Sequence, residues 1–275
     1  MAYKINTFIS SDTRIQDGDK KLSICLSANG FSFSVISNSD KLLAIGDVTC
    51  EASKSLGTTM TNIRGALAEL KINPTFFAEV ELIEPVQKFT LVPEHLYKKG
   101  EEKALLQTVC EVENTRSIVV DYSEKMQLYA IFITENPMVQ TFKFIAPKLK
   151  HRCQHEKLIE SSLREKSITK PVLALNVNGD TFDIAAFAEQ QLKMCNTLKG
   201  NTKEDAAFAL LNTVQQLSIK RENAELNISG NVDKDWYNCL RKYFAKVVLN
   251  TGRKLQFENE EFYHLHTYRH ALILS

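Results

Sequence analysis

An internal repeat constrains this chain more than any other feature. Residues 24–36 read ICLSANGFSFSVI and residues 173–185 read LALNVNGDTFDIA. Aligned without a gap, Asn29-Gly30 falls on Asn178-Gly179, Ser32-Phe33 on Thr181-Phe182 and Val35 on Ile184, an offset of 149 residues. An offset of more than half the chain implies two large copies and excludes an array of short repeats. Each copy opens as a hairpin: an alternating apolar strand enters Asn-Gly, whose glycine accepts positive φ without steric cost. A second alternating strand leaves it, with Phe31, Phe33 and Val35 in the first copy and Phe182, Ile184 and Ala186 in the second.

Third strands are predicted at Lys41 to Val48 and Gln190 to Leu198, then helices at Ser55 to Leu70 and Thr202 to Leu217. Met60, Ile63, Leu67 and Leu70 form an apolar stripe at helical spacing, as do Phe208, Leu211, Val214 and Leu217 with Leu210. Thr202 and Asp205 have the spacing of a capping box. Strands at Phe77 to Ile83 and Ala224 to Ser229 complete a β-β-β-α-β unit in each copy. The expected architecture is a two-lobed α/β chain with halves at residues 1–150 and 151–275. Additional strands are predicted at Lys88 to Val92, Ser117 to Tyr122, Leu128 to Thr134 and Met138 to Ile145. Helices are predicted from Pro93 to Cys110, Gln154 to Arg164 and Lys234 to Val248, and a last strand from Glu261 to Leu274. No Gly/Ser linker separates the halves, so they are expected to pack together.

With 34 basic and 33 acidic residues and a net charge of +1, the chain lacks the basic excess that nucleic acid or an anionic membrane selects. The start, MAYKINTFISSDTR, has no apolar core of signal-peptide length. The longest apolar run, Leu128 to Ile133, is far short of the roughly 20 residues of a membrane span. The expectation is a cytoplasmic protein without membrane insertion. Six scattered cysteines, with no CxxC pair, read as reduced structural residues.

The duplicated β-β-β-α-β unit with glycine turns in both first hairpins resembles the actin-like (ribonuclease H-like) ATPase superfamily, which includes actin, the heat-shock ATPases and the sugar kinases. In that superfamily both turns are phosphate loops and nucleotide lies between the lobes. The second loop often reads V-D-x-G-G-G-T-T-D-I, and Leu175-Asn-Val-Asn-Gly-Asp-Thr-Phe-Asp-Ile184 is similar to it at Gly179, Thr181, Asp183 and Ile184. A Gly-Gly turn that faces adenosine has Ser229-Gly230 as its counterpart. Residues 89–97 (FTLVPEHLY), 175–184, 201–217 and 228–230 (ISG) are together similar to a bacterial family, domain-of-unknown-function family 3822. That resemblance covers about residues 20–260 and implies a fold like the actin-like scaffolds of pilus and secretion machines. It also implies cleft positions at Ser27, Asn29, Gly30, Ser32, Asn176, Asn178, Gly179, Thr181, Ser229 and Gly230.

Phosphoryl transfer depends on positioned Mg²⁺ and a base that orients water. The superfamily's two acidic positions map onto Ser27 and Asn176, neither of which carries the charge that a hard cation prefers. Phe31 and Asp180 replace small residues, and Asp180 would repel phosphate. No catalytic residue and no metal ligand is assigned. His264, His266 and His270 share one parity, but on a strand the outer pair would be about 20 Å apart, so the plain reading is a half-exposed face. His151-x-Cys153-x-His155 reads as a solvated helix start, with a contact for an acidic partner as the sharper reading. Trp236 reads as core. The expected function is a non-catalytic adaptor or scaffold (a pseudo-ATPase) that binds another protein and requires no cofactor. The alternatives are a divergent ATP- or ADP-binding protein or slow ATPase, and a small-metabolite sensor.

Overall fold

The computed structural model describes residues 3–11, 15, 19–27, 29–50, 56–113, 117–134, 137–146, 148–163, 170–189, 191–257 and 259–275. The predicted element ends at Ser55, Arg164 and Gln190 lie outside these residues. Two compact units make up the chain: Met1–Gln154 with Lys254–Leu265, and His155–Arg253 with His266–Ser275.

The first unit contains β1 (Tyr3–Ser10), β2 (Lys20–Ser27), β3 (Gly30–Ser37), β4 (Lys41–Cys50), α1 (Leu56–Glu69), β5 (Glu79–Glu84), β6 (Phe89–Pro93), α2 (Glu102–Gln107), β7 (Ser117–Ser123), β8 (Leu128–Thr134), α3 (Pro137–Ile145) and β9 (Leu149–Cys153). Its main sheet runs β1-β4-β3-β2-β5-β9, with a short strand, Gln256–Phe257, parallel to β4. In the β2–β3 register Leu22, Ile24 and Leu26 oppose Val35, Phe33 and Phe31. Side chains alternate with a period of two, so both apolar sets share one face. Ile63, Leu67 and Leu70 of α1 and Met138, Val139 and Phe142 of α3 join them in one core. Phe31 meets Phe142 edge to face at 5.4 Å.

Residues 138–145 are helix, not the predicted strand. A strand would align Met138, Gln140, Phe142 and Phe144, yet Gln140 and Phe144 are exposed. The buried set, Met138, Val139, Phe142 and Ala146, has helical spacing, and Pro137 at the first helical position presets φ. The predicted helix from Pro93 to Cys110 is also broken. A 3-10 turn at Glu94–Leu96 gives way to Gly100 at φ +96°, and only then does α2 begin.

β6, β8 and β7 form a second, antiparallel sheet under α2. Tyr97 stacks on Tyr129 there at 3.8 Å and donates its hydroxyl proton to Glu102 at 2.6 Å. That bond holds the phenol pKa up to about 12. The fold favours the neutral phenol, so this contribution to stability is complete below the ordinary tyrosine pKa of about 10. It is lost as pH climbs towards the raised value. In a phenolate absorbance titration Tyr3, Tyr97 and Tyr122 are expected to ionise late, and Tyr97→Phe should reduce that late step by one tyrosine.

The second unit contains α4 (Gln154–Leu163), β10 (Val172–Asn178), β11 (Thr181–Ala188), β12 (Gln191–Lys199), α5 (Lys203–Gln216), β13 (Glu225–Gly230), α6 (Lys234–Leu240) and β14 (Lys246–Leu249). Its sheet order, β12-β11-β10-β13-β14, repeats the path β4-β3-β2-β5-β9 of the first unit. Leu173, Leu175, Val177, Phe182 and Ile184 pack against Ala207, Leu210 and Val214 of α5. The capping box is present in full: Asp205 N donates to Thr202 Oγ1, and Asp205 accepts from Thr202 N.

The buried face of α5 differs from the predicted one. Ala206, Ala207, Leu210, Thr213 and Val214 are buried, whereas Phe208 is 74% exposed. Two alanines let the helix lie close to the sheet, which rotates the large ring outward. The predicted helix from Lys234 to Val248 ends at Leu240. Phe244 then turns into the core, and β14 becomes the edge partner of β13, with Lys246 paired to Glu225. The tail is not a strand. It forms 3-10 turns at Glu260–His264 and Thr267–His270, which removes the shared face expected of the three histidines.

Candidate functional site

The two hairpins close in the same way but place Asn-Gly differently. In the first, β2 and β3 pair so that Ser27 opposes Gly30, which places Asn29 in the loop and Gly30 on the strand. In the second, Asn178 opposes Thr181, which places Asn178 on the strand and Gly179 in the loop. By register the hairpins are therefore offset by 151 residues, two more than the sequence alignment supposed. Phe31 corresponds to Phe182, Ser32 to Asp183, and Asn176 to Cys25. Ser27, mapped in sequence to an acidic position, corresponds instead to Asn178 at the turn.

Gly30 is there for close packing. A Cβ on it would stand 1.9 Å from Val48 O. Ser27 and Asn29 are exposed, Ser32 is half-buried, and Asn29 O accepts from Cys50 N at 2.7 Å. Phe31 and Phe182 belong to the cores of their own units and fill no surface site. Gly179, at φ +63°, has no atom within 4 Å of where a Cβ would lie, so the second turn is open. Thr181 Oγ1 donates to Asn178 O at 3.1 Å. The exposed side chain of Asp180 is at this turn, and Gly200 N binds Asp180 O. Glu204 and Asp205 lie in the first turn of the helix that follows Gly200. Acids at a helix N-terminus already satisfy its positive end, so an added anion gains little there.

Behind that turn a row of polar side chains crosses the sheet of the second unit. Register sets Ser229 beside Asn176, Asn176 beside Asp183, and Asp183 beside Thr197. Alternation places them on the face opposite the α5 core. Ser229 Oγ donates to Asn176 Oδ1 at 3.0 Å and lies 3.3 Å from Leu175 O. Asn176 Nδ2 donates to Asp183 Oδ2 at 3.4 Å, and Thr197 Oγ1 donates to Asp183 Oδ1 at 2.5 Å. His155, on α4, brings Nε2 to 2.7 Å from Thr197 Oγ1 and 3.3 Å from Asp183 Oδ1. A carboxylate only accepts, so the single threonine proton goes to Asp183 and Nε2 of His155 is the donor. Asn176, Asp183, Ser229 and His155 are all buried. Cys195, on the neighbouring strand, has its thiol pKa pushed well up by burial and then by the charge of Asp183, which makes it a poor nucleophile.

Gly230 closes the end of β13 at φ +85°, where a Cβ would stand 2.2 Å from Val177 O. Asn231 N donates to the same oxygen. Of the residues marked in sequence, Asn176, Asn178, Gly179, Thr181, Ser229 and Gly230 thus gather at the carboxyl ends of β10 and β13. Ser27, Asn29, Gly30 and Ser32 form a separate turn in the first unit. Sequence reasoning missed Thr197 and His155 as partners of Asp183. The available signal was one lone charge inside the apolar run FDIAAFA.

The reading of residues 151–155 as a solvated helix start is overturned. His151, Arg152, Cys153 and His155 are buried: residues 149–153 form a strand beside β5 at the end of the main sheet, and His155 lies in the first turn of α4. In the first unit His151 Nε2 lies 2.8 Å from Glu84, and Arg152 Nε donates to Asp121 at 3.2 Å. Glu81 accepts from Ser23 at 2.9 Å and pairs with Lys21 at 2.9 Å. Among the described residues, no group of three His, Cys, Asp or Glu side chains is placed to hold a metal ion, and no helix is long and apolar enough to cross a membrane.

This architecture is actin-like. A Bacteroides thetaiotaomicron VPI-5482 protein with an actin-like ATPase fold and unknown function superposes with a TM-score of 0.71 at 22% identity, over 86% of this chain and 93% of that one. The PilM–PilN type IV pilus biogenesis complex matches with a TM-score of 0.58 at 8% identity, over 92% of this chain and 96% of that one. At these identities the likeness shows the fold alone. No curated protein matches the sequence. The family model described as "Protein of unknown function (DUF3822)" matches residues 10–247, and the chain belongs to that family.

Proposed function

We propose that this protein is a non-catalytic, actin-like adaptor or scaffold that holds another protein. In this reading the chain is an internal duplication with halves near residues 1–150 and 151–275, supported by the strand order that the main sheets of the two units share. One observation carries the proposal. At Asn176 the superfamily's acidic position holds a buried amide whose oxygen accepts from Ser229 and whose nitrogen donates to Asp183. A neutral amide committed on both sides supplies neither the charge for a divalent cation nor a base for water. The carboxylates at Asp180, Glu204 and Asp205 add repulsion towards phosphate. A neighbour of the same fold, PilM, is seen in complex with a second protein.

A divergent nucleotide-binding protein is the second reading. The open turn at Gly179 favours it, because backbone amides in such turns cradle phosphate. Calorimetric titration with ATP and ADP, with and without Mg²⁺, separates the two. The adaptor reading expects no heat up to millimolar nucleotide. Micromolar, Mg²⁺-dependent binding that disappears in Gly179→Trp would overturn it.

A further inference from the structure

The first unit has an open groove of about 450 Å³ between α1, the turn after it and α3. Its floor is apolar, with Leu67, Ile72 and Pro74 buried, and Phe144 stands at its rim 66% exposed. A cavity of roughly 150 Å³ already suffices for a benzene ring, so this groove has room for a phenyl side chain and part of its carrier. Its one charged lining residue is Arg64, which is exposed and forms no ion pair or hydrogen bond with a described residue. Lys71 and Lys143, both exposed, flank lining residues in sequence. No acid lines the groove.

The second unit presents the complement. Phe208 projects from α5 at 74% exposure. Glu204, one helical turn earlier on the same face, is exposed and has no partner among the described residues. An apolar projection on one surface and a pocket of matching chemistry on another are the elements of a heterologous, head-to-tail contact between copies. We infer that Phe208 of one copy seats in the α1–α3 groove of a second copy, with Glu204 paired to Arg64. The contact uses residues that neither hairpin turn contains, so it stands independently of the adaptor reading.

Sedimentation velocity of the full chain, from micromolar to near-millimolar concentration, tests the inference. Wild-type protein is expected to associate as concentration rises. A buried aromatic anchor dominates such contacts, so Phe208→Glu and Phe144→Glu should each weaken association by roughly 30-fold or more. Both side chains are mostly exposed, so both variants should stay folded. Each variant retains one intact half of the contact, and mixing the two should therefore restore a one-to-one dimer and nothing larger. Arg64→Glu should weaken association, and Arg64→Glu combined with Glu204→Arg should recover it. A wild-type protein that stays monomeric throughout would overturn the inference. So would Phe208→Glu associating like wild type, or a mixture that yields no dimer.

Discussion

Asp183→Ala is expected to cost the second unit roughly 2–4 kcal/mol, because it strips the acceptor from Thr197 and Asn176, at about 1–3 kcal/mol for a buried polar group left unsatisfied. The carboxylate accepts from Thr197 and Asn176 and lies 3.3 Å from His155 Nε2. Deleting it leaves half-buried Thr197 without its acceptor and buried Asn176 with half of its partners. Against a typical stability of about 5–15 kcal/mol, that is a large share. Trp236 makes the measurement simple. It is the only tryptophan, and it packs against the core of the second unit. Urea unfolding followed by its fluorescence should show a markedly lower midpoint for Asp183→Ala. Asp183→Asn keeps the shape and one acceptor oxygen, so its loss should be smaller. If both variants match wild type, the polar row contributes nothing to stability, and a functional role for Asp183 would return to consideration.

Gly30→Ala is expected to be the most damaging small substitution in the first unit. The new methyl would overlap Val48 O at 1.9 Å on a strand sealed into the sheet. Relief requires β3 and β4 to part. Backbone strain of roughly 1–3 kcal/mol and overpacking of roughly 1–3 kcal/mol add to about 2–6 kcal/mol. Gly179→Ala is the matched control, because its methyl would meet nothing and only the positive φ opposes it, at about 1–2 kcal/mol. Hydrogen exchange across β2–β4 and β10–β12 reads each unit separately. Protection should collapse for Gly30→Ala and fall only modestly, by roughly 5–30-fold, for Gly179→Ala. Equal losses would mean that the two glycines serve the same purpose, as the aligned Asn-Gly pairs suggest in sequence.

Much of the fold was legible because its signals are local. Alternation marked both hairpins, and Thr202 with Asp205 marked the start of α5. The misreadings came where short apolar runs fit two periods. Residues 138–145 fit a strand by composition and a helix by burial, and only the position of the sheet decides between them. Val247 and Val248 continued a helical pattern on paper, but the open edge of β13 made them a strand. Phe208 was assigned to the core because it is apolar, yet Ala206 and Ala207 brought the helix too close to the sheet to admit it. The polar row was partly hidden for another reason. Asn176 and Asp183 lie seven residues apart, but Thr197 and His155 reach them only through strand pairing and helix placement, which no local pattern encodes.

The two hairpins keep turn and apolar row in the same register although Asn-Gly sits two residues earlier in the second, which bears on how such chains can change. Strand side chains face alternate sides, so lengthening a hairpin by one residue would turn its apolar row outward. Lengthening it by two moves the turn and leaves the row where it was. The loops at Ser27 and Asn178 can therefore advance or retreat only in even steps, which makes parity, more than length or loop sequence, the quantity that insertions here must conserve.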